Sequence, residues 1–434
     1  MNDFASKISN YINSDANKSN CSTGVKEDYL KLFFKMQPIG SKIADFKNFP
    51  AGFFENFDYD IYDKDYCTDD TDYSKFNYNI AEKFNLVVLI NGYFSKENSK
   101  IISKNITVMS LAEKSKKEYF ATEKYFLDYS ESYESQFTVL SNILAKDGVY
   151  LQIHQNSVVE EPIYIVNVIT KQDKNYFFNH RKLIVADENS SAKIIETDLF
   201  MSDYKSLILS ICLMQQAKNS QLNYSRIKSD INSDHKKHSN ANFITGYEFR
   251  LNENAKLNHN NVNFDADFGR SRTHFFLDGE NAEVNTTMFS YLQNDRIVDV
   301  ATSIVHSSPN TYSNQLVKAI ADDNSSFSFD GKILVAQDSQ KIKASQNSRA
   351  ILLSDNAQVN CQPQLEIYAD DVECSHGSAI GNLEEDLIFY LNSRGISKEQ
   401  ANKLLLTAFA AEVINRIPYQ SMRDFIFSDL AEQI

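Results

Sequence analysis

The chain has 434 residues, 42% hydrophobic and 24% charged, which is the make-up of a globular protein of two or three domains with a sizeable core. A formal charge of −14 argues against nucleic acid as the main partner, because phosphate backbones need a positive surface. The opening residues lack the basic start and apolar stretch of a signal peptide, and the longest apolar runs (86–90 and 207–214) fall far short of the ~20 residues of a membrane span, so a cytoplasmic chain without a membrane partner is expected.

In chain order, residues 1–148 read as a mostly helical region with a short β segment. Tyr29, Leu30, Leu32, Phe33 and Phe34 form an apolar stripe that Pro38 and Gly40 end. Residues 58–72 are acidic, Tyr-rich and without period, and read as a loop. Residues 86–90 read as a strand followed by a turn at Asn91-Gly92, and residues 137–144 as a helix ending near Asp147-Gly148.

From 149 to 382 the text changes to short runs of Ile, Val, Phe and Leu split by Asn, Asp and Ser. One pattern recurs, Asn or Ser with an apolar residue three positions on. It occurs at Asn219/Leu222, Asn254/Leu257, Asn281/Val284, Asn324/Phe327, Ser339/Ile342 and Asn356/Val359, each preceded by Lys, Glu or Asp. A polar turn followed by an inward apolar residue, repeated unevenly, suits a parallel β-helix whose coils bury their faces only by stacking. It also suits an antiparallel sandwich or barrel with ordinary Asx turns.

Residues 383–434 read as helices. Leu387, Ile388 and Leu391 share one side of a first helix that Gly395 stops. Ser397 and Gln400 form a capping-box pair ahead of Ala401, Leu404, Leu405, Ala408 and Phe409, and then Val413 and Ile417 precede Pro418. A final helix over 422–432 carries Phe425, Ile426 and Leu430. These stripes suit mutual packing and also a surface that docks another protein.

Few residues suit chemistry. In a strand, Cys374 and His376 share one face with Ser375 opposite, which places a thiol beside an imidazole, and both are iron ligands. A protonated His376 would favour the thiolate. The same pair also suits a buried Cys and a hydrogen-bonded His at the end of a core. Two ligands fall short of the four a cluster usually takes, so either a second subunit supplies the rest or the pair helps transfer rather than holds. Cys361, thirteen residues earlier, could lie one layer away. Asp370 and Asp371 are adjacent, so a strand would point them to opposite faces, and a turn suits them better. Asp234, His235 and His238 lie in a polar stretch that reads as an exposed loop. The five cysteines (Cys21, Cys67, Cys212, Cys361, Cys374) are odd in number and without CxxC spacing, so reduced thiols are expected. No Walker-type GxxxxGK[ST] is present, nor GxGxxG, HExxH or GxSxG.

The string PQLEIYADDVECSHGSAIG over 363–381, followed by FYLNSRGI over 389–396, resembles the signature of the SufD family of iron–sulfur cluster assembly proteins. The text HSSPNTYSNQ at 306–315, Phe329-Asp330-Gly331-Lys332-Ile333 and Ser345-Gln346-Asn347 agrees, and residues 37–46 match loosely. Ser378-Ala379 replaces the family's usual Ala-Thr, and Asp45-Phe46 stands where Glu and Trp are usual. The CSHG run favours SufD over its paralogue SufB.

The resemblance implies a right-handed parallel β-helix between two helical regions. It implies a non-catalytic scaffold subunit that pairs with SufB and docks the SufC ATPase, with sulfur delivered through a cysteine desulfurase and a relay protein. His376 and Cys374 would lie at the SufB interface beside a transient iron–sulfur cluster, with no cofactor held stably by this chain alone. Glu384, Phe389, Tyr390, Arg394, Leu404, Leu405 and Phe409 would belong to the SufC dock. The alternatives carried from the residues are a β-helix glycan-acting enzyme and a SufB-type cluster-holding subunit.

Overall fold

The computed structural model describes scattered residues between 4 and 35, then residues 56–64, 83–118, 135–202, 204–228, 240–264 and 267–434. Among them the chain is mainly β, a β-solenoid of about seven turns with helices toward the termini. The expected parallel β-helix is therefore the architecture, and the sandwich alternative falls.

Each coil contributes one strand to each of two parallel sheets. The first sheet stacks β5 (Val149–Ile153), β7 (Tyr176–Ala186), β9 (Ser206–Gln216), β11 (Ala241–Leu251), β13 (Phe268–Leu277), β15 (Ile297–His306), β17 (Ser326–Val335) and β19 (Gln358–Ile367). The second stacks β6 (Ile163–Ile169), β8 (Ser191–Phe200), β10 (Gln221–Lys228), β12 (Lys256–Asn263), β14 (Glu283–Leu292), β16 (Tyr312–Ala321), β18 (Ile342–Leu352) and β20 (Val372–Gly381).

The strands begin upstream of residue 149. β2 (Asn85–Ile90) pairs in parallel with β6, β3 (Tyr93–Lys100) returns antiparallel on it, and β4 (Ile106–Ser110) pairs antiparallel with β5. The expected loop at 58–72 also holds a strand in its described part: β1 (Asp60–Ile61) pairs with Tyr176 and Phe177. Two short helices, α1 (Leu111–Lys117) and α2 (Ser135–Ile143), complete this part. Of the stripe at 29–34 only residues 31 and 33 are described, and Cys21, Cys67, residues 37–46 and the Asp234, His235, His238 group lie outside the described residues.

The recurring Asn has a backbone cause. Asn156, Asn189, Asn219, Asn254 and Asn281 all hold positive φ between 55° and 59°, a region that Asn tolerates better than most residues. From Asn189 on, each side chain donates to the Asn one coil earlier, with Nδ2 to Oδ1 distances of 2.7, 2.8, 3.0 and 3.1 Å. The ladder satisfies the turn amides and fixes coil on coil. Asn324 and Asn356 belong to the opposite edge, where Asn356 donates to Asn324 at 3.1 Å and Asp323 takes the positive φ. At Ser339 the positive-φ residue is Lys341. One sequence pattern thus covers two different turns.

Helices cover both outer faces, which explains why β9 reads as a continuous apolar run rather than an alternation. Its outward Leu207, Leu209, Ile211 and Leu213 pack with Phe137, Leu140 and Ile143 of α2, while its inward Cys212 and Met214 join the central core. On the second sheet, Ile227, Val262, Phe289 and Ile320 pack under α4 (Lys398–Ile414) and α5 (Gln420–Gln433) through Leu406, Val413, Met422 and Ile426.

Candidate functional site at the open end of the solenoid

The site follows from strand alternation in the last coil. On β20 the residues Val372, Cys374, His376 and Ser378 share one row, in register with Ile342, Ala344, Gln346 and Ser348 of β18. The β18 row is the solenoid interior, and all four of its residues are buried. β20 is the end of its sheet, so the same row is open there. Cys374 is half-buried, and His376 and Ser378 are exposed.

The opposite wall is β19, whose inward row runs Val359, Cys361, Pro363, Leu365. Cys361 is therefore in the same coil as Cys374, on the facing sheet, rather than one layer away. Its thiol meets the hydroxyls of Ser348 and Ser378, which oppose the larger effect of burial that pushes it above the ordinary thiol range. Burial also pushes the Cys374 thiol up, with the Ala344 backbone contact acting the other way. In the free chain both are thiols, not the thiolate that a protonated His376 would favour. Among the described residues, no three His, Cys, Asp or Glu side chains come together in a way that could hold a metal ion. Asp370 and Asp371 are exposed in the turn between β19 and β20, where Gln340 Oε1 accepts the Asp371 N–H at 2.9 Å.

The rim of this opening is only partly armed for pairing. Gln358 and Tyr368 donate their N–H groups to Ser325 and Val335 on the β17 side, at 2.9 and 3.0 Å, so the odd-numbered N–H groups of β19 face the open edge. Pro363 falls on that side and removes one donor, a known way of blunting an edge strand. Tyr368 is 63% exposed and Ile380 43% exposed, large apolar groups beside the opening.

The helices after β20 continue this surface. α3 (Glu385–Ser393) starts at Glu384, which makes no side-chain cap bond, and Gly395 at φ +86° follows its end. Phe389 is 75% exposed and Tyr390 54%, with the Arg394 guanidinium 5.1 Å from the Tyr390 ring. The Ser397–Gln400 capping box forms as expected. The buried face of α4 is Ala401, Leu406, Ala410, Val413 and Ile414, and Ile417 beyond it is buried too, so the expected stripe holds at Ala401, Val413 and Ile417 but not at Leu404 or Ala408. Leu404 instead points outward at 51% exposure, Leu405 is half-buried, and Phe409 is turned to the solenoid. Lys318 on β16 holds Phe409 there, donating to its carbonyl at 2.9 Å with Nζ 4.3 Å from its ring, and pairs with Glu412.

Sequence reasoning missed a charged cluster in the first coils. Lys182 Nζ lies 3.0 Å from Glu196 Oε1, Arg226 pairs with Asp198, and Asn167 Nδ2 donates to both Glu196 and Asp198 at 2.9 Å. The Arg226 Nε–H donates to the Tyr247 hydroxyl at 3.2 Å, and Tyr224 donates to Glu196. Two cations balance two carboxylates. Burial alone would raise the Glu196 carboxyl, but Lys182 and Arg226 outweigh it and hold it at about 2. Burial pushes the neighbouring Cys212 thiol up to about 12, so that sulfur is inert. The signal was present once the coil period is known: Glu196 and Arg226 stand on the same row of adjacent strands, paired in register.

Comparison with known proteins agrees with this architecture. Residues 168–409 match the model for the SUF system FeS cluster assembly SufBD core domain, and residues 12–165 match the SufBD protein N-terminal region. The chain belongs to the SufBD family. It is 27% identical over 355 residues to an iron–sulfur cluster assembly SufBD family protein of Synechocystis sp., covering 78% of this chain and 75% of that one. It is 25% identical over 314 residues to SufD of Bacillus subtilis, covering 72% and 70%. It is 33% identical over 165 residues to SufD of Escherichia coli, covering only 38% and 39%. No helix among the described residues is long and apolar enough to cross a membrane.

Proposed function

We propose that this chain is a SufD-type, non-catalytic scaffold subunit that closes its open end against SufB, with Cys374 and His376 contributing to a seam where an iron–sulfur cluster is built and passed on. The observation that carries this is the row Cys374–His376. It is interior everywhere below β20 and uncapped at β20, beside exposed Tyr368 and Ile380. An interior row and a sheet edge left uncovered in this way suit an interaction surface. Two ligands from this chain leave the other positions of a cluster to the partner, and the cluster is cargo rather than a resident group.

The exposed side of α3 and α4, Phe389, Tyr390 and Leu404, is the proposed dock for the SufC ATPase, with Glu384, Arg394 and Leu405 at its margin. Phe409 serves the dock indirectly, by fixing α4 to β16.

Two variants test the two halves separately. His376→Ala is expected to retain the complex but impair cluster formation on it, and normal cluster yield would remove His376 from the site. Phe389→Asp with Leu404→Asp is expected to abolish co-purification of the ATPase while SufB still binds. These point changes are preferable to deleting residues 383–434, because α4 and α5 also cover the second sheet.

A further inference from the structure

Beneath His376 the solenoid interior carries an unusual column. Reading down the second sheet in register from β20 to β12, the residues are His376, Gln346, Gln315, Thr286 and His259. All but His376 are buried. Gln346 Nε2 donates to Gln315 Oε1 at 2.8 Å, and Gln315 Nε2 donates to Thr302 Oγ1 at 2.8 Å. The Gln346 carboxamide is thereby held from below.

Its oxygen is not held. Gln346 Oε1 is buried and has no hydrogen-bond partner among the described residues. Buried amide oxygens are nearly always paired, so this one asks for a donor. The planar carboxamide places its nitrogen and oxygen on different sides of Cδ. Nε2 is taken up by Gln315 on the rung below, and the rung above the carboxamide is His376. Adjacent strands lie about 4.8 Å apart, which is within side-chain reach.

The facing sheet leaves room for this arrangement. A Cβ on Gly331 would come within 1.7 Å of Gln346 Nε2 and 2.8 Å of its Cδ. Gly331 does not hold a positive φ, so the backbone does not demand glycine there. What leaves no room for a side chain is the Gln346 carboxamide together with the Phe329 ring, whose Cζ would lie 2.5 Å from that Cβ. The His376 ring, for its part, makes no hydrogen bond among the described residues.

We infer that Gln346 is the positioning residue for His376: its Oε1 accepts an imidazole N–H, fixes the tautomer, and leaves the other ring nitrogen bare toward the open end. Imidazoles that meet metal usually have their second nitrogen held this way. The proposal rests on the reading of His376 as a working residue of the opening, and it adds the residue that orients it. By register, its inward neighbours are Cys374 and Ser378 on β20, Ala344 and Ser348 on β18, and Cys361, Pro363 and Leu365 on β19. Of these Cys361 and Cys374 titrate.

The test is nitrogen NMR on the full-length chain with 15N-labelled histidine, the His376 signals being assigned by loss in His376→Ala. The wild type is expected to show one dominant neutral tautomer. Gln346→Met, close in shape and without the acceptor, is expected to shift His376 to the mixture of a solvent-exposed imidazole. Gln346→Glu restores an acceptor and is expected to restore the single tautomer. Thermal unfolding monitors whether the variants fold. A wild-type His376 that already shows the solvent mixture would overturn the inference without any variant. So would a Gln346→Met protein that folds and leaves the tautomer unchanged. These readouts do not involve cluster yield, so normal assembly by His376→Ala would defeat the functional reading alone.

Discussion

The two ends of the solenoid use the inward faces of their strands to opposite effect. In the first coils these faces carry Lys182 on one sheet and Glu196, Asp198, Tyr224 and Arg226 on the other, sealed between sheets that α2 covers on one side and α4 and α5 on the other. In the last coil they carry Cys374, His376 and Ser378 with nothing stacked above. Polar groups at the sealed end must satisfy one another, because water cannot. Polar groups at the open end are free to meet something else. The difference is position along the stack, not chemistry of the face.

Acid should weaken the buried interior most, from β7 through β15. Burial lowers the imidazoles of His180 and His259 to about 3 and that of His306 to about 4, with the Lys182 charge adding to the effect at His180. Free imidazoles titrate near 6.5, so between those limits the unfolded chain binds more protons than the folded one. Their stabilising contribution is whole above pH 6.5 and is lost as the pH falls toward 3. The slope is up to about 1.4 kcal/mol per pH unit for each imidazole. Urea unfolding from pH 7 to pH 4.5 measures it, and a flat midpoint would show that the buried rows are wetter than the packing indicates.

Lys182→Met should come next, at about 3–5 kcal/mol, by leaving Glu196 short of a partner in the interior. Pairing it with Glu196→Gln should recover part of the loss, and additive losses would show that the two groups are not coupled. Lys318→Ala should cost about 1–3 kcal/mol, because the Phe409 carbonyl and Glu412 lose their shared donor. Proteolysis after α3 then reports whether α4 loosens from β16. The smallest stability effect should be at the open end, where His376→Ala is expected to stay within about 0.5 kcal/mol of wild type. A large loss there would mean that the opening is a core and not a site.

Much of the open end was legible in the sequence. Strand alternation alone put Cys374 and His376 on one face, and the Asn offset marked real turns at Asn219, Asn254 and Asn281. The sealed end was not legible. Lys182, Glu196 and Arg226 lie far apart in sequence, and only the register of β7, β8, β9 and β10 brings them together. The helical stripe of α4 was right at Ala401, Val413 and Ile417 and wrong at Leu404 and Ala408, which are exposed, because composition cannot say which apolar side of a helix is left for a partner.

By itself the sequence determined the local backbone: where Asn can hold a positive φ, where Gly395 ends a helix, where Ser397 starts one, and which residues alternate along a strand. Those choices depend on neighbours a few positions away. Only the tertiary structure decided which coil is last, which carboxylates meet which cations, and that Gly331 yields its side-chain volume to Gln346. Each of these depends on stacking residues about thirty positions apart, and the length of every loop between them sets the register.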